Sequence, residues 1–529
     1  MQKKIITLLI LIVFIQCRLF PQDRGGKLIY GEERLPKSFD PYSYNDDEVN
    51  VRMCTLLYQS LFGYQKMSNK LVGILASSFQ RINNNEVQIE LMRNIKWSDG
   101  GEFKSDDVIS TIKAINKSSS SWKNYISVFS SVVKIDEYTI RFVLSRPMIE
   151  ENVKRALTFK ILPSYKLIDL PITSSSDIAK KSYGTGYFKY SSRRNQEIEL
   201  KANNYYRDRD NLKRPYLDYI AINAHSDKSN LIDQLKNGGI DIVVDVPPYR
   251  LADIEAARFD IKQYESFSFN YIAINFRNPI LSDYLKVRQA IYYGFDRKSI
   301  VDNVYNSKAT LINSPYILDA VYTPTDLDRY DYDVKKANIL LDESGFNMKD
   351  ANGFRYNASG QKLEFKLLYK IVENDEYRDR IITSFKSDMD KLGIRIIERA
   401  ENLDSYLRVL KYDFDYDLAF GELLFSNGLN FSQLFHSKFI GLGNYNFIAY
   451  KEPRIDREFD KLDNNLTIEE YQNTNKKISR ILNTQVPYIF CWSVQKYAAA
   501  SKEIPNFKST ITPFGFFDYA HELYKRESN

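Results

Sequence analysis

The stretch "NIKWSDGGEFKSDDV", residues 94–108, brings together Trp97, Ser98, Asp99, Ser105, Asp106 and Asp107. A hydroxyl beside a carboxylate could pair a nucleophile with a general base, and two acids could divide general acid and base roles. The surrounding pattern points elsewhere. Alternation in "EVQIELM" (86–92) predicts a strand, and Gly100 and Gly101 supply a turn. Ser105 is a good N-cap, and Asp106 and Asp107 fall in a first helical turn, where negative charge suits the helix dipole. The helix continues through "VISTIKAIN", so the stretch reads as strand, turn and capped helix, its acids with structural jobs.

Asp413, Asp415 and Asp417 in "DFDYDL" have the first spacings of a calcium loop, but such a loop needs glycine next, where Leu418 stands, and a later glutamate that is missing. Their period-two spacing places them on one face of a strand entrance. The three histidines, His225, His436 and His521, are too scattered for H-E-x-x-H or a Cys/His cluster, so neither metal nor cofactor is expected. No G-x-S-x-G elbow and no glycine-rich phosphate loop occurs, which leaves a peptidase or other hydrolase without its machinery.

The elements that hold these residues belong to a large body. The 529 residues are 43% hydrophobic and 27% charged, which predicts two or three domains. Thirty-nine tyrosines against 3 tryptophans suit either a tyrosine-rich core or wet ligand clefts. The net charge of +6, without any Lys/Arg block of five, gives no reason to expect nucleic acid. "MQKK" followed by "IITLLILIVFI" and "QC" reads as an export signal over residues 1–17, too short to span a membrane, with Cys17 where a bacterial lipoprotein carries its lipid. Phe14, Ile15 and Gln16 depart from the small residue that usually precedes such a cysteine. Cys54 and Cys491 remain, either as one bridge or as buried thiols.

Strands are predicted at 27–36, 138–146 and in "YGTGYFKYSS" paired with "EIELKAN". "SNLIDQLKNGGIDIVVDVP" (229–247) reads as helix, glycine stop and buried strand, and "DVKKANILLDESGF" as a helix stopped at Gly345. Alternating strand and helix then continues to "YDLAFGELL", the mark of an α/β region. No linker or repeat separates the parts, so the domains are expected to interweave.

The order of "FDPYSYND", "IKWSDGGEFKSDDV", "YGTGYFKY", "NYIAINFRNPILSDYLKVRQAIYYGFDRKSI", "YDVKKANILLDESGF", "YDLAFGELL" and "VPYIFCWSVQKY" resembles the extracytoplasmic solute-binding proteins, family 5, of peptide-type ABC importers, which include oligopeptide-, dipeptide- and nickel-binding members. The likeness runs from about Lys27 to Tyr519. It implies an α/β, type II-like periplasmic-binding-protein fold of cluster C: two lobes joined by two hinge crossings, with an extra inserted subdomain. Lobe I would comprise 27–59, 170–270 and 490–529, the inserted subdomain 60–169, and lobe II 271–489. Ligand would lie between the lobes, and closure would present it to the transmembrane permease.

The same resemblance implies ligand contacts from Asn45, Asp46 and Asp47 after the D-P pair, from Trp122 and Tyr125 on the subdomain edge, from Asn270 and Tyr271 where the second lobe begins, and from Trp492 or its neighbour Phe490. Relatives usually hold the ligand α-ammonium with an aspartate just after the Y-D strand. Here that place falls near Phe425, Ser426 and Asn427, without an acid; Glu422 lies a little earlier, and Leu423 and Leu424 are expected as further ligand contacts. Glu422 substitutes, an acid arrives from elsewhere, or the ligand lacks that amine. The resulting expectation is a periplasmic, lipid-anchored monomer that captures a peptide without chemistry. The alternatives are the same scaffold holding a nickel chelate or oligosaccharide, or serving as a sensor or adhesin.

Overall fold

The computed structural model describes residues 24–43, 47–65, 70–120, 122–207, 214–225, 228–246, 248–254, 258–264, 268–315, 324–371, 376–424, 431–462, 466, 468–509 and 517–526. Two mixed sheets organise them. The first has seven strands in the order Phe259–Tyr264, Lys496–Ser501, Ile242–Val243, Lys27–Glu32, Tyr219–Ala224, Glu197–Ala202 and Phe188–Arg194. The second has six, in the order Ala309–Leu311, Tyr488–Val494, Ser268–Ile274, Leu418–Leu424, Glu364–Lys370 and Arg395–Glu401. The sheets draw their strands from distant parts of the chain, which is the expected interweaving.

The second sheet is covered on both faces. Along Ser268–Ile274 every residue is buried, and alternate side chains enter two different clusters: Ile272 and Ile274 in one, Phe269, Tyr271 and Ala273 in the other. A strand covered on both faces reads as a continuous apolar run, as "NYIAI" does. A separate four-stranded antiparallel sheet, Ala76–Asn83, Glu86–Leu91, Thr139–Leu144 and Phe129–Lys134, forms the inserted part, and its apolar side chains join the first lobe in one core.

Strand membership moves the crossing points. Tyr488–Val494 pairs with Ser268–Ile274 and Ala309–Leu311, whereas Lys496–Ser501 pairs with strands of the first sheet. The chain therefore returns to the first lobe at Gln495, not at 490, and residues 268–270 lie in the second sheet, not the first lobe. Ladder pairing decides this, and one residue of apolar sequence looks much like the next.

The opening stretch is strand, turn and helix. The helix runs Ser105–Lys117, and its cap differs from expectation. Ser105 is the first helical residue and donates its hydroxyl to the Asp136 carbonyl at 2.7 Å. Asp107 instead reaches back to accept from the Lys104 amide at 2.8 Å, from the Ser164 amide at 2.7 Å and from the Trp97 indole at 3.3 Å. Trp97 is fully buried, so Asp107 is the polar centre of this core. Asp107→Ala orphans three donors at once and is expected to cost about 3 kcal/mol, read as a lowered thermal midpoint; Asp107→Asn, which keeps one acceptor, is expected to lose less.

Cys54 and Cys491 are free, buried thiols, and burial raises the pKa of both. His436 sits between Asp456 and Asp460, at 3.2 and 3.1 Å, and His521 stacks on Tyr187 at 4.6 Å. Asp415 pairs with Lys366 at 2.7 Å, and Asp417 accepts from the Lys366 amide at 2.8 Å, so these acids brace a strand entrance. Among the described residues no group of three or more His, Cys, Asp or Glu could hold a metal ion, and no helix is long and apolar enough to cross a membrane.

Candidate functional site

Both sheets end in charge where the lobes face each other. On one face of the Leu418–Leu424 strand the core residues Leu418 and Phe420 are followed by an acid, Glu422. Asn270 is the direct partner of Glu422 on the neighbouring strand and shares its face. The sheet thus leaves its core at this point, and the Glu422 side chain keeps 42% of its exposure.

The first lobe answers with a mixed cluster. Helix Glu48–Leu57 carries Glu48 and Arg52 one turn apart, paired at 3.1 Å. Arg52 also holds Glu32 in a fork, Nε to Oε2 and Nη2 to Oε1 both at 3.0 Å, and lies 3.7 Å from Asp245. Lys496 approaches Asp245 at 3.2 Å and Glu422 at 4.0 Å. The Tyr264 hydroxyl donates to Asp245 at 2.9 Å. Asp245 itself has φ +56, an uncommon conformation for a residue with a side chain and one that recurs at functional sites.

Arg52, Asp245 and Lys496 are largely enclosed, whereas Glu48 and Glu422 keep more of their exposure to solvent. Burial raises the pKa of Glu48; Lys496 and Arg52 oppose the rise, and Asp245 and Glu422 add to it. Burial works against the charge of Lys496, yet Asp245, Glu48 and Glu422 together hold its pKa well above the usual lysine value. Tyr125, at the subdomain edge, lies within electrostatic reach of the second lobe. Burial raises the Tyr125 hydroxyl well above its ordinary pKa, and Arg155 and Tyr64 of the first lobe and Tyr471 of the second act on the same group.

The resemblance-derived site residues separate into three sets. Asn45, Asp46, Ser426, Asn427, the Leu424 side chain and Cys17 lie outside the described residues. Glu422, Asn270 and Tyr125 stand where the lobes approach. The others are placed as packing or capping groups. Asp47 caps helix Glu48–Leu57, accepting from Val49 at 3.0 Å, and pairs with Arg34. Trp122 is buried against Tyr125 and Phe159. Tyr271 stacks on Tyr488 at 4.7 Å in the second-lobe core, and Leu423 packs on the same cluster. Phe490 and Trp492 are fully buried.

Phe490 and Trp492 do not even share a face. The ladder pairs Tyr271 with Phe490 but Asn270 with Trp492, so Cys491 is an extra residue, a β-bulge. Phe490 enters the cluster of Tyr271 and Tyr488, and Trp492 that of Phe295 and Phe420. Simple alternation would have put both on one side. Glu48, Arg52, Asp245 and Lys496 were missed because a cluster drawn from three distant segments has no overall spacing to detect. The one local trace is charge next to buried strand, as in "DIVVD" and "KYAAA".

Residues 70–439 match the family model described as "Bacterial extracellular solute-binding proteins, family 5 Middle". The chain belongs to that family. As a family 5 solute-binding protein it has the architecture of binders that capture a solute outside the cytoplasm rather than of enzymes. Its sequence is 25% identical over 498 residues to the oligopeptide-binding protein AppA of Bacillus subtilis, covering 92% of this chain and 89% of that one. The solved structure of that protein, in complex with a nonapeptide, has a TM-score of 0.83 over 96% of this chain and 100% of its own, at 23% identity. NikZ from Campylobacter jejuni, in complex with Ni(L-His), gives 0.81 at 25% identity, again over 96% and 100%. The two-lobed fold is therefore that of this family.

Proposed function

We propose that this family 5 protein captures a peptide between its lobes and delivers it to an ABC permease, with Glu422 receiving the ligand's cationic end. The observation that carries the reading is Glu422 itself: an accessible carboxylate at the point where the second-lobe sheet leaves its core, facing the first lobe. It supplies the acid absent from the place where the family resemblance puts an aspartate. Likeness to the peptide-binding AppA over nearly the whole chain supports the same reading. Export through residues 1–17 and lipid attachment at Cys17 would keep the protein at the outer face of the membrane, acting as a monomer.

Native mass spectrometry of the purified protein, followed by calorimetry against peptide mixtures, tests this. A co-purified peptide mass and saturable heat with free-amine peptides are expected. A second reading, a nickel chelate, is favoured by the likeness to NikZ. A chelate needs no protein metal cluster, and its mass in the native spectrum, with silence across peptides, would replace the peptide reading.

A further inference from the structure

Two strands of the first sheet stand at the hinge. Phe259–Tyr264 ends at Tyr264 just before the first crossing, and Lys496–Ser501 begins at Lys496 just after the second. They pair with each other, and Tyr264 and Lys496 are direct partners in the ladder. Both hold the same carboxylate, Asp245, at 2.9 and 3.2 Å. Arg52 lies on the far side of Asp245 at 3.7 Å and ties it to helix Glu48–Leu57. The hinge ends are therefore gathered on one first-lobe node.

Lys496 has a second acid within reach. Its Nζ is 3.2 Å from Asp245 of the first lobe and 4.0 Å from Glu422 of the second, while its side chain is only 16% exposed. A single ammonium thus spans the two bodies beside the pivot. Lys496 and Asp245 are enclosed and tightly coupled, whereas the contact to Glu422, whose side chain keeps 42% of its exposure, stays open to screening by salt. The group Glu32, Glu48, Asp245 and Glu422 against Arg52 and Lys496 contains more acids than bases, so a further cation can be accommodated beside them.

The geometry points to Lys496 as a hinge switch: it bridges Asp245 and Glu422 while the site holds no cation, and it retires onto Asp245 when a cationic group of the ligand takes Glu422. This rests on the peptide-capture reading for the identity of that cation. The bridge itself requires no ligand. Its loss changes the balance of open and closed lobes in the free protein, because Glu422–Lys496 links the lobes and Asp245–Lys496 lies within one of them.

Small-angle X-ray scattering of the full protein without ligand tests the switch, at low salt and at 1 M salt, where the screening length falls to about 3 Å. Wild type is expected to be most compact at low salt and to expand as salt rises. Glu422→Gln and Lys496→Met are expected to show the expanded radius of gyration already at low salt, with no further response, and Lys496→Arg to behave as wild type. Glu422 is accessible, so Glu422→Gln keeps the test valid if Lys496→Met fails to fold. A radius of gyration for Glu422→Gln equal to that of wild type at low salt overturns the switch. Failure of the peptide reading is distinguishable: calorimetry of wild type with peptides is then silent, whereas the scattering difference between wild type and Glu422→Gln persists.

Discussion

Gly184→Ala is expected to unfold the first lobe well below its normal temperature. A Cβ at Gly184 would lie 1.6 Å from the Leu57 carbonyl oxygen and 2.6 Å from its carbon, both backbone atoms of helix Glu48–Leu57. No rotamer relieves a clash with backbone. The Y-G-T-G turn cannot back away either, because the Gly186 amide donates to the Leu57 carbonyl at 3.0 Å and the Ser98 amide donates to the Gly184 carbonyl at 3.0 Å. Asn203 holds the Gly186 carbonyl at 2.9 Å. The turn is thus clamped from three sides, and insertion of one methyl group is expected at the upper end of the usual overpacking range, about 3 kcal/mol. For a lobe of this size that corresponds to a fall of roughly 6–12 °C, measurable by scanning calorimetry. A midpoint within about 2 °C of wild type would show that the helix and turn can separate cheaply.

Arg297→Met is expected to damage the second lobe by a different route. Arg297 is buried, and its guanidinium donates to four backbone carbonyls: Arg329 at 2.6 Å, Phe490 at 2.7 Å, Ile312 at 2.9 Å and Tyr330 at 3.2 Å. The Tyr292 ring lies under it at 4.5 Å. One side chain therefore fastens the Tyr488–Val494 strand to the segments around Ile312 and Tyr330. Methionine fills much of the volume and serves none of the acceptors, so the expected loss is about 4 kcal/mol. Arg297→Lys is expected to recover little, because one ammonium cannot reproduce a planar fork reaching both sides. Denaturant unfolding followed by second-lobe tryptophan fluorescence reads this, since Trp492 lies in that core. Near-wild-type stability of Arg297→Met would mean that water replaces the guanidinium at these carbonyls.

Much of the architecture is legible in the residues themselves. The alternation of "EVQIEL", the glycine stop at Gly345 and the strand in "LAFGELL" all recur as Glu86–Leu91, the end of helix Val334–Glu343 and Leu418–Leu424. Local periodicity and turn chemistry are properties of short segments, so a short segment reveals them. The co-occurrence of W-S-D-G and Y-G-T-G also had a meaning the spacing did not disclose: the two turns bond to each other through Ser98 and Gly184.

The candidate site was less legible. Tyr271, Phe490 and Trp492 are aromatic and near the crossings, as ligand platforms are, yet they pack inward because the second sheet is covered on both faces. The sign of such a residue depends on what covers the sheet, and that is contributed by segments far away in sequence.

By itself the amino-acid sequence determined the element types, the α/β class, the family and the lack of catalytic or metal motifs, because each is written in residue types at short spacing. Only the tertiary structure decided which aromatic residues are core, where the chain crosses between lobes, and that Glu32, Glu48, Arg52, Asp245, Glu422 and Lys496 share one charged node. Coulomb interactions and ladder pairing act through distance in space, and folding alone brings positions 32, 245, 422 and 496 within reach of one another.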